Sequence, residues 1–233
     1  MRKIILISIT LCFVGILNAQ NVQLHYDFGK GRQMLTTTVE MFKPDKLGNT
    51  FFFIDFDYGS KDSGVEGVSG AYWEIARVIK TENMPVGFHA EYNGGLGRII
   101  AAPGAFRIND CFLAGVDYSV NAADFSKGFS IKGLYKYIAN KEDASFQITG
   151  VWYWNFFDGK ITFKGFADFW KEDSDFDYDE KADACFIFLT EPQIWYKVNE
   201  HFSAGGEVEI SSNFGGNDGF MVNPTLAIKY IFD

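Results

Sequence analysis

The sequence predicts an all-β fold, a transmembrane antiparallel up-and-down β-barrel of about 12 strands. Three observations predict it. The chain opens with a secretory-type segment, Met1 to Gln20. It closes on an amphipathic strand, Asn223 to Asp233 (NPTLAIKYIFD), whose last aromatic, Phe232, lies one residue from the terminus. Between these ends lie many segments that alternate polar with aromatic residues, and none reads as a hydrophobic helix. A chain exported in this way, with no helix to cross a bilayer, can cross only as a closed barrel, because lipid offers no partner for an open sheet edge.

The N-terminal segment reads as follows. Arg2 and Lys3 form a basic n-region, and Ile4 to Leu17 form an apolar h-region. Ala19 ends the cleavage site, so residues 1–19 are expected to be removed and 20–233 to form one barrel domain. Cys12 follows Leu11 inside the h-region, which does not suit a lipoprotein anchor. The apolar run is also short for a membrane helix.

Composition agrees with a sheet. Aromatic residues make up 18% of the chain, with 25 Phe, 11 Tyr and 5 Trp, and the 47% hydrophobic content is dispersed rather than blocked. Rings are favoured in strands and anchor barrels at both membrane interfaces. The formal net charge of −9 becomes −11 once Arg2 and Lys3 are lost. That balance argues against nucleic acid as a partner and against a polybasic membrane anchor.

Strand-like runs separated by turn signals can be taken in order. They are Val22 to Phe28, Leu35 to Phe42, Thr50 to Tyr58, Ala71 to Ile79, Val86 to Asn93 and Cys111 to Tyr118. They continue with Phe129 to Ile138, Ser145 to Asn155, Ile161 to Trp170, Ala184 to Tyr196, Phe202 to Ser211 and Phe220 to Phe232. An even number places both termini on the periplasmic side. The periplasmic connections are then Lys43 to Asn49, Lys80 to Pro85, Ser119 to Gly128, Phe156 to Lys160 and Lys197 to His201. Longer outer loops are expected at Gly59 to Gly70, Gly94 to Asp110 and Lys171 to Asp183.

Alternation assigns the faces. In Thr50 to Tyr58, Phe52, Ile54, Phe56 and Tyr58 share one face, while Phe51, Phe53, Asp55 and Asp57 share the other. In Ser145 to Asn155, Phe146, Ile148, Gly150, Trp152 and Trp154 oppose Ser145, Gln147, Thr149, Val151, Tyr153 and Asn155. The aromatic face suits lipid and the other suits water. On this phasing the lumen carries Glu40, Asp55, Asp57, Glu74, Glu91, Asp117, Asp168, Asp183, Glu191, Glu207 and Glu209 against Lys132, Lys136, Lys164 and Lys229. An acidic passage disfavours anions. The same charges could instead form a Lys–carboxylate network that holds the barrel's shape. Phe51 and Phe53 beside Asp55 and Asp57 offer stacking faces next to hydrogen-bond acceptors, a combination that suits a sugar or a nucleoside. They could equally plug the periplasmic end.

The segments NVQLHYDFG (Asn21 to Gly29), LTTTVEMFKPDKLGNTFFFIDFDYG (Leu35 to Gly59), GAYWEIAR (Gly70 to Arg77) and TEPQIWYKV (Thr190 to Val198) resemble the nucleoside-specific channel-forming outer-membrane porin family (Tsx-like). They are most similar to its uncharacterised Bacteroides-type branch. The resemblance covers essentially the whole mature chain, and its strongest block is Glu40 to Asp57. It implies a monomeric barrel in the Gram-negative outer membrane that passes nucleosides passively. It also marks Phe51, Phe53, Asp55 and Asp57 as solute contacts.

The expected function is therefore facilitated diffusion of small polar solutes through the outer membrane, with nucleosides foremost. Candidate pore-lining residues are Phe51, Phe53, Asp55, Asp57, Glu40, Glu74 and Glu91. The alternatives are a general small-solute porin and a closed structural or surface-binding barrel that acts through its outer loops. The expected partners are the solutes and outer-membrane lipid. No enzyme activity, cofactor or metal is expected. His25, His89 and His201 are the only histidines, and no serine motif accompanies the His89–Glu91 pair. The acidic loop Glu172 to Glu180 lacks the turn glycine and closing glutamate of a calcium loop, so it reads as a solvated loop. Cys111 and Cys185 read as two isolated thiols, although an oxidising compartment would permit a disulfide. Intact-mass measurement of the protein from outer-membrane fractions is expected to give a chain that begins at Gln20; a mass that retains residues 1–19 would overturn the cleavage assignment.

Overall fold

The structure is a computed structural model that describes residues 20–60, 63–81, 84–100, 104–141, 145–174 and 183–232. The expected signal segment, 1–19, and residues 175–182 of the acidic loop lie outside the described residues. The strands are β1 (Gln20–Asp27), β2 (Leu35–Asp45), β3 (Gly48–Tyr58), β4 (Val68–Ile79), β5 (Val86–Arg98), β6 (Ala105–Asn121) and β7 (Lys127–Ile138). They continue with β8 (Ser145–Phe156), β9 (Ile161–Ser174), β10 (Asp183–Thr190), β11 (Gln193–Lys197), β12 (Phe202–Ser212) and β13 (Phe220–Ile231).

The strands pair antiparallel in chain order, with β10 and β11 both lying between β9 and β12, and β1 also pairs with β13 through Val22 opposite Tyr230 and His25 opposite Ala227. The sheet therefore closes on itself and leaves no edge, which is what hydrocarbon surroundings require of a backbone.

The thirteen described segments make a barrel of twelve strands, because β10 and β11 are two halves of one. Thr190 pairs with Ala167 of β9 and Gln193 pairs with Lys164, so the register does not change across the break. The same holds against β12, where Thr190 opposes Ile210 and Gln193 opposes Glu207. The cause of the break is Pro192, which has no N–H to give the ladder. Its carbonyl still accepts from the Val208 amide at 3.0 Å, and the Glu191 amide still reaches the Phe166 carbonyl at 3.1 Å. The single run expected over Ala184 to Tyr196 is thus present.

Several connections are shorter than the sequence suggests. Gly94 to Asp110 does not form one long outer loop. β5 continues to Arg98 and β6 begins at Ala105, which leaves only 99–104 between them. Glycine is a poor strand former in isolation, but here it permits close backbone approach. A Cβ at Gly95 would lie 2.5 Å from the Ala71 carbonyl oxygen. Likewise Lys43, Pro44 and Asp45 belong to β2, and the turn is Lys46–Leu47, with Asp45 opposite Gly48. Gly48 has φ 130°, and a Cβ there would sit 2.0 Å from the Val78 carbonyl oxygen, so glycine is required. In the turn 122–126, Ser126 donates to Asp124 through its hydroxyl and its amide, which holds that exposed carboxyl below its ordinary range. The connections 59–67 and 213–219 remain longer than the turns 46–47, 157–160 and 198–201 at the opposite rim. The expected asymmetry survives in reduced form.

The outer surface is apolar along strand after strand. Phe88, Phe112, Val116, Tyr135, Ile194, Leu226 and Ile228 are all exposed. A soluble monomer does not present so continuous an apolar surface. Near the rim that holds both termini, rings form a collar of the kind that anchors barrels at an interface. Trp154 stacks on Phe156 with centroids 5.1 Å apart, and Tyr230 contacts Phe202 at 5.0 Å and Phe232 at 5.2 Å. The Lys127 ammonium lies 5.1 Å over the Trp154 ring, a cation–π contact within this collar.

The inside is not uniformly polar. Cys111, Leu113, Leu134 and Ile138 pack together on β6 and β7. Trp170, Ile187 and Leu189 form a second cluster on β9 and β10, with Phe166, Cys185 and Phe214 against it. Cys111 and Cys185 are both free. Because Leu226 is 66% exposed halfway along β13, Leu226→Arg is expected to destabilise the barrel by about 2–4 kcal/mol. Urea unfolding in lipid vesicles measures this, and an unchanged midpoint would show that this face does not meet the membrane core.

Candidate functional site

β3 supplies one wall of the lumen. Strand alternation points Phe51, Phe53, Asp55 and Asp57 inward, and register then selects their neighbours. On β2, Glu40 opposes Phe53, Thr38 opposes Asp55 and Thr36 opposes Asp57. On β4, Ala76, Glu74 and Tyr72 stand opposite Phe51, Phe53 and Asp55. On β5, Glu91 opposes Ala76 and Asn93 opposes Glu74. All seven residues expected to line the pore therefore lie on one continuous wall, β2 to β5.

That wall is ordered by short hydrogen bonds. Thr38 donates to Asp55 Oδ1 at 2.5 Å, Thr36 donates to Asp57 Oδ1 at 2.7 Å, and Tyr72 donates to Glu74 Oε1 at 2.7 Å. The Phe53 ring lies 5.9 Å from both the Phe51 and Tyr72 rings. The result is a short ladder of three rings edged by oriented carboxylates. Glu91 is held by His89 Nε2 at 2.8 Å, with the His89 side chain fully buried.

The opposite wall carries a cluster that the sequence reading did not single out. Lys164 on β9 reaches Glu40 on β2 at 3.0 and 3.2 Å. These strands are far apart around the barrel, so the bridge crosses the lumen. Asn21 also donates to Glu40, at 3.1 Å. Lys229 lies 3.7 Å over the Trp195 ring, and His25 meets the same ring edge-on at 5.9 Å. His25 is fixed by Thr225 and Gln23, both at 3.0 Å, and lies 3.5 Å from Glu207. The signal for His25 was available, since it stands between Leu24 and Tyr26, which face outward. The signal for Trp195 was weaker, because an inward tryptophan departs from the polar-in rule. Towards the outer rim, Arg32 from the β1–β2 connection bridges Asp27 at 3.2 Å and Glu209 at 2.8 Å.

Electrostatically the middle of the lumen is acidic. Glu191 stands within electrostatic reach of Glu207, Asp55, Glu209 and Glu74, and Glu74 stands within reach of Glu91 and Asp168. These residues sit on strands from both sides of the barrel. Lys136 is turned partly aside, donating to Gln147 at 2.7 Å and lying 4.1 Å over the Trp170 ring.

Residues 19–232 match the family described as Domain of unknown function (DUF5020). The chain belongs to that family. The DUF5020 chain has the fold of outer-membrane porins. It is similar to the NanC porin, with a TM-score of 0.58, 12% identity, and coverage of 92% of this chain and 100% of that one. It is also similar to the COG4313 outer membrane channel from Pseudomonas putida F1, with a TM-score of 0.55, 9% identity, and coverage of 93% and 96%. The KdgM porin in complex with disordered oligogalacturonate gives a TM-score of 0.53 at 10% identity, with coverage of 92% and 99%. No curated protein matches.

In this DUF5020 chain, Lys164→Ala removes the ion pair of half-buried Glu40 and leaves it the Asn21 hydrogen bond. It is expected to cost about 1–3 kcal/mol of unfolding free energy, and pairing it with Glu40→Gln should restore most of the loss. Denaturant unfolding of the three variants checks this. Equal losses in the single and double variants would show that the bridge does not couple the two walls.

Proposed function

We propose that the protein is an outer-membrane channel for facilitated diffusion of small polar solutes, that it works as a monomer, and that nucleosides are the solute class its wall suits best. The observation that carries this reading is the ladder Phe51–Phe53–Tyr72 beside Asp55, Asp57 and Glu74. Rings offer sequence-tolerant stacking faces to a planar base, and carboxylates accept hydrogen bonds from ribose hydroxyls. Contacts of this kind are weak enough to release the solute, as conduction requires. The path lies within one closed chain, so no partner copy is needed to complete it. Transport in place of catalysis also fits the His89–Glu91 pair, whose imidazole is fully buried.

The charge of the lumen separates this solute class from that of the KdgM porin, which has been seen with an oligogalacturonate. Such a chain carries repeated carboxylates. An acidic axis repels it, whereas a neutral nucleoside meets no such barrier.

A second reading has a specific observation in its favour. The Lys164–Glu40 bridge spans the lumen, and two apolar clusters fill part of the interior wall. Both features narrow the passage, as a closed barrel that acts through its outer loops would require.

Uptake into proteoliposomes that carry the mature chain separates these readings. Uridine and adenosine are expected to enter faster than a sugar or an amino acid of similar size, and to saturate. Phe51→Ala with Phe53→Ala is expected to abolish the saturation while leaving the barrel folded, as judged by its heat-modifiable gel mobility. Equal entry of all solutes would leave a general porin, and no entry of any would favour the closed barrel.

A further inference from the structure

We propose that the mid-lumen carboxylates form a binding site for linear organic cations that carry two or more spaced ammonium groups. The site would be built by Glu74, Glu91 and Asn93 on one wall and Asp168 on the other. This deepens the channel reading and rests on the lumen being open to solute.

The first observation is an excess of acceptors. Glu74 is within electrostatic reach of both Glu91 and Asp168, which stands across the lumen on β9. Glu91 already takes the His89 proton donor, and Glu74 takes the Tyr72 hydroxyl at 2.7 Å. Glu91 also takes the Asn93 amide, Asp168 takes the Thr149 hydroxyl, and Lys132 and Lys136 stand within electrostatic reach, so the acceptors left over are few and specific. The second observation is independent of charge. Asn93 is 5% exposed and stands directly across the ladder from Glu74. Its amide nitrogen is turned to Glu91. Its Oδ1 is buried without a hydrogen-bond partner, and so is Asp168 Oδ1. A buried acceptor left unmatched costs about 1–3 kcal/mol. A side-chain amide cannot relieve that cost by taking up a proton, so the donor must come from elsewhere.

The geometry discriminates between guests. A metal ion needs several oxygens within a single short coordination sphere, and no cluster among the described residues brings three suitable groups together. The carboxylates instead sit on facing walls. A guest that satisfies both must be long, must donate N–H groups at separated points, and must carry positive charge. A diamine or triamine meets all three conditions. Its methylene spacer would lie against Phe53 and Tyr72, whose rings are 5.9 Å apart, and its ammonium groups also gain from the ring faces.

Calorimetric titration of the purified mature chain in detergent, with spermidine as the probe, tests the site. Saturable binding is expected, tighter for spermidine than for 1,4-diaminobutane, with none for butylamine at equal charge concentration. Glu74→Gln combined with Asp168→Asn is expected to weaken it by about tenfold or more, since each lost charge-assisted hydrogen bond is worth about that factor. Heat-modifiable mobility shows whether that variant is folded. If it is not, the length dependence across the three amines on the unaltered chain decides alone. Absence of saturable binding, equal binding of butylamine, or undiminished binding in the folded variant would overturn the site. Nucleoside entry without spermidine binding would leave the channel reading intact and remove only this inference. Spermidine binding in a chain that passes no solute would do the reverse.

Discussion

Closure of the hydrogen-bond ladder between β1 and β13 is the constraint on which the rest depends. In hydrocarbon an unpaired backbone amide or carbonyl costs several kcal/mol, so a sheet of this size can exist there only without an edge. Closure fixes the register of the last strand against the first, from Asn21 opposite Ile231 to Asp27 opposite Thr225. Once that register is set, the period of two decides every other face. A slip of β13 by one residue would turn Leu226 and Ile228 inward and Ala227 and Lys229 into lipid.

The interior follows from the same closure. Strands far apart in sequence are brought to face one another, and polar residues that would be solvated in an open sheet must find partners. Lys164 finds Glu40, Arg32 finds Asp27 and Glu209, and Lys229 rests on Trp195. Burying an ion pair gains little over an apolar pair in net stability. These contacts are better understood as shape-keeping, since they tie opposite walls together at a set separation. The carboxylates left over along the axis are then the feature available for solutes. The two roles weighed from the sequence, a structural network and a solute path, meet at Glu40, a candidate lining residue that also holds Lys164.

The candidate wall was legible because it depends on local pattern alone. Phe51, Phe53, Asp55 and Asp57 alternate within one strand, and a strand reveals its two faces without knowledge of its neighbours. The glycine-rich segments were misread for the opposite reason. Gly94, Gly95 and Gly97 have weak strand preference, and only their close approach to β4 and β6 shows why small residues are needed there. Pro44 likewise suggested a turn, yet it extends β2 at the rim, where a missing donor costs little.

By itself the sequence determined the barrel class, the outward aromatic face and the acidic character of the lumen. Each of these is a property of composition or of period-two alternation, both of which are written residue by residue. Only the tertiary structure decided that β10 and β11 are one strand through Pro192, that Lys164 crosses to Glu40, and that Glu74 and Asp168 face each other. It also decided that Trp195 and His25 share a site. These are relations between residues distant along the chain, set by register around a closed ring, and no local pattern carries them.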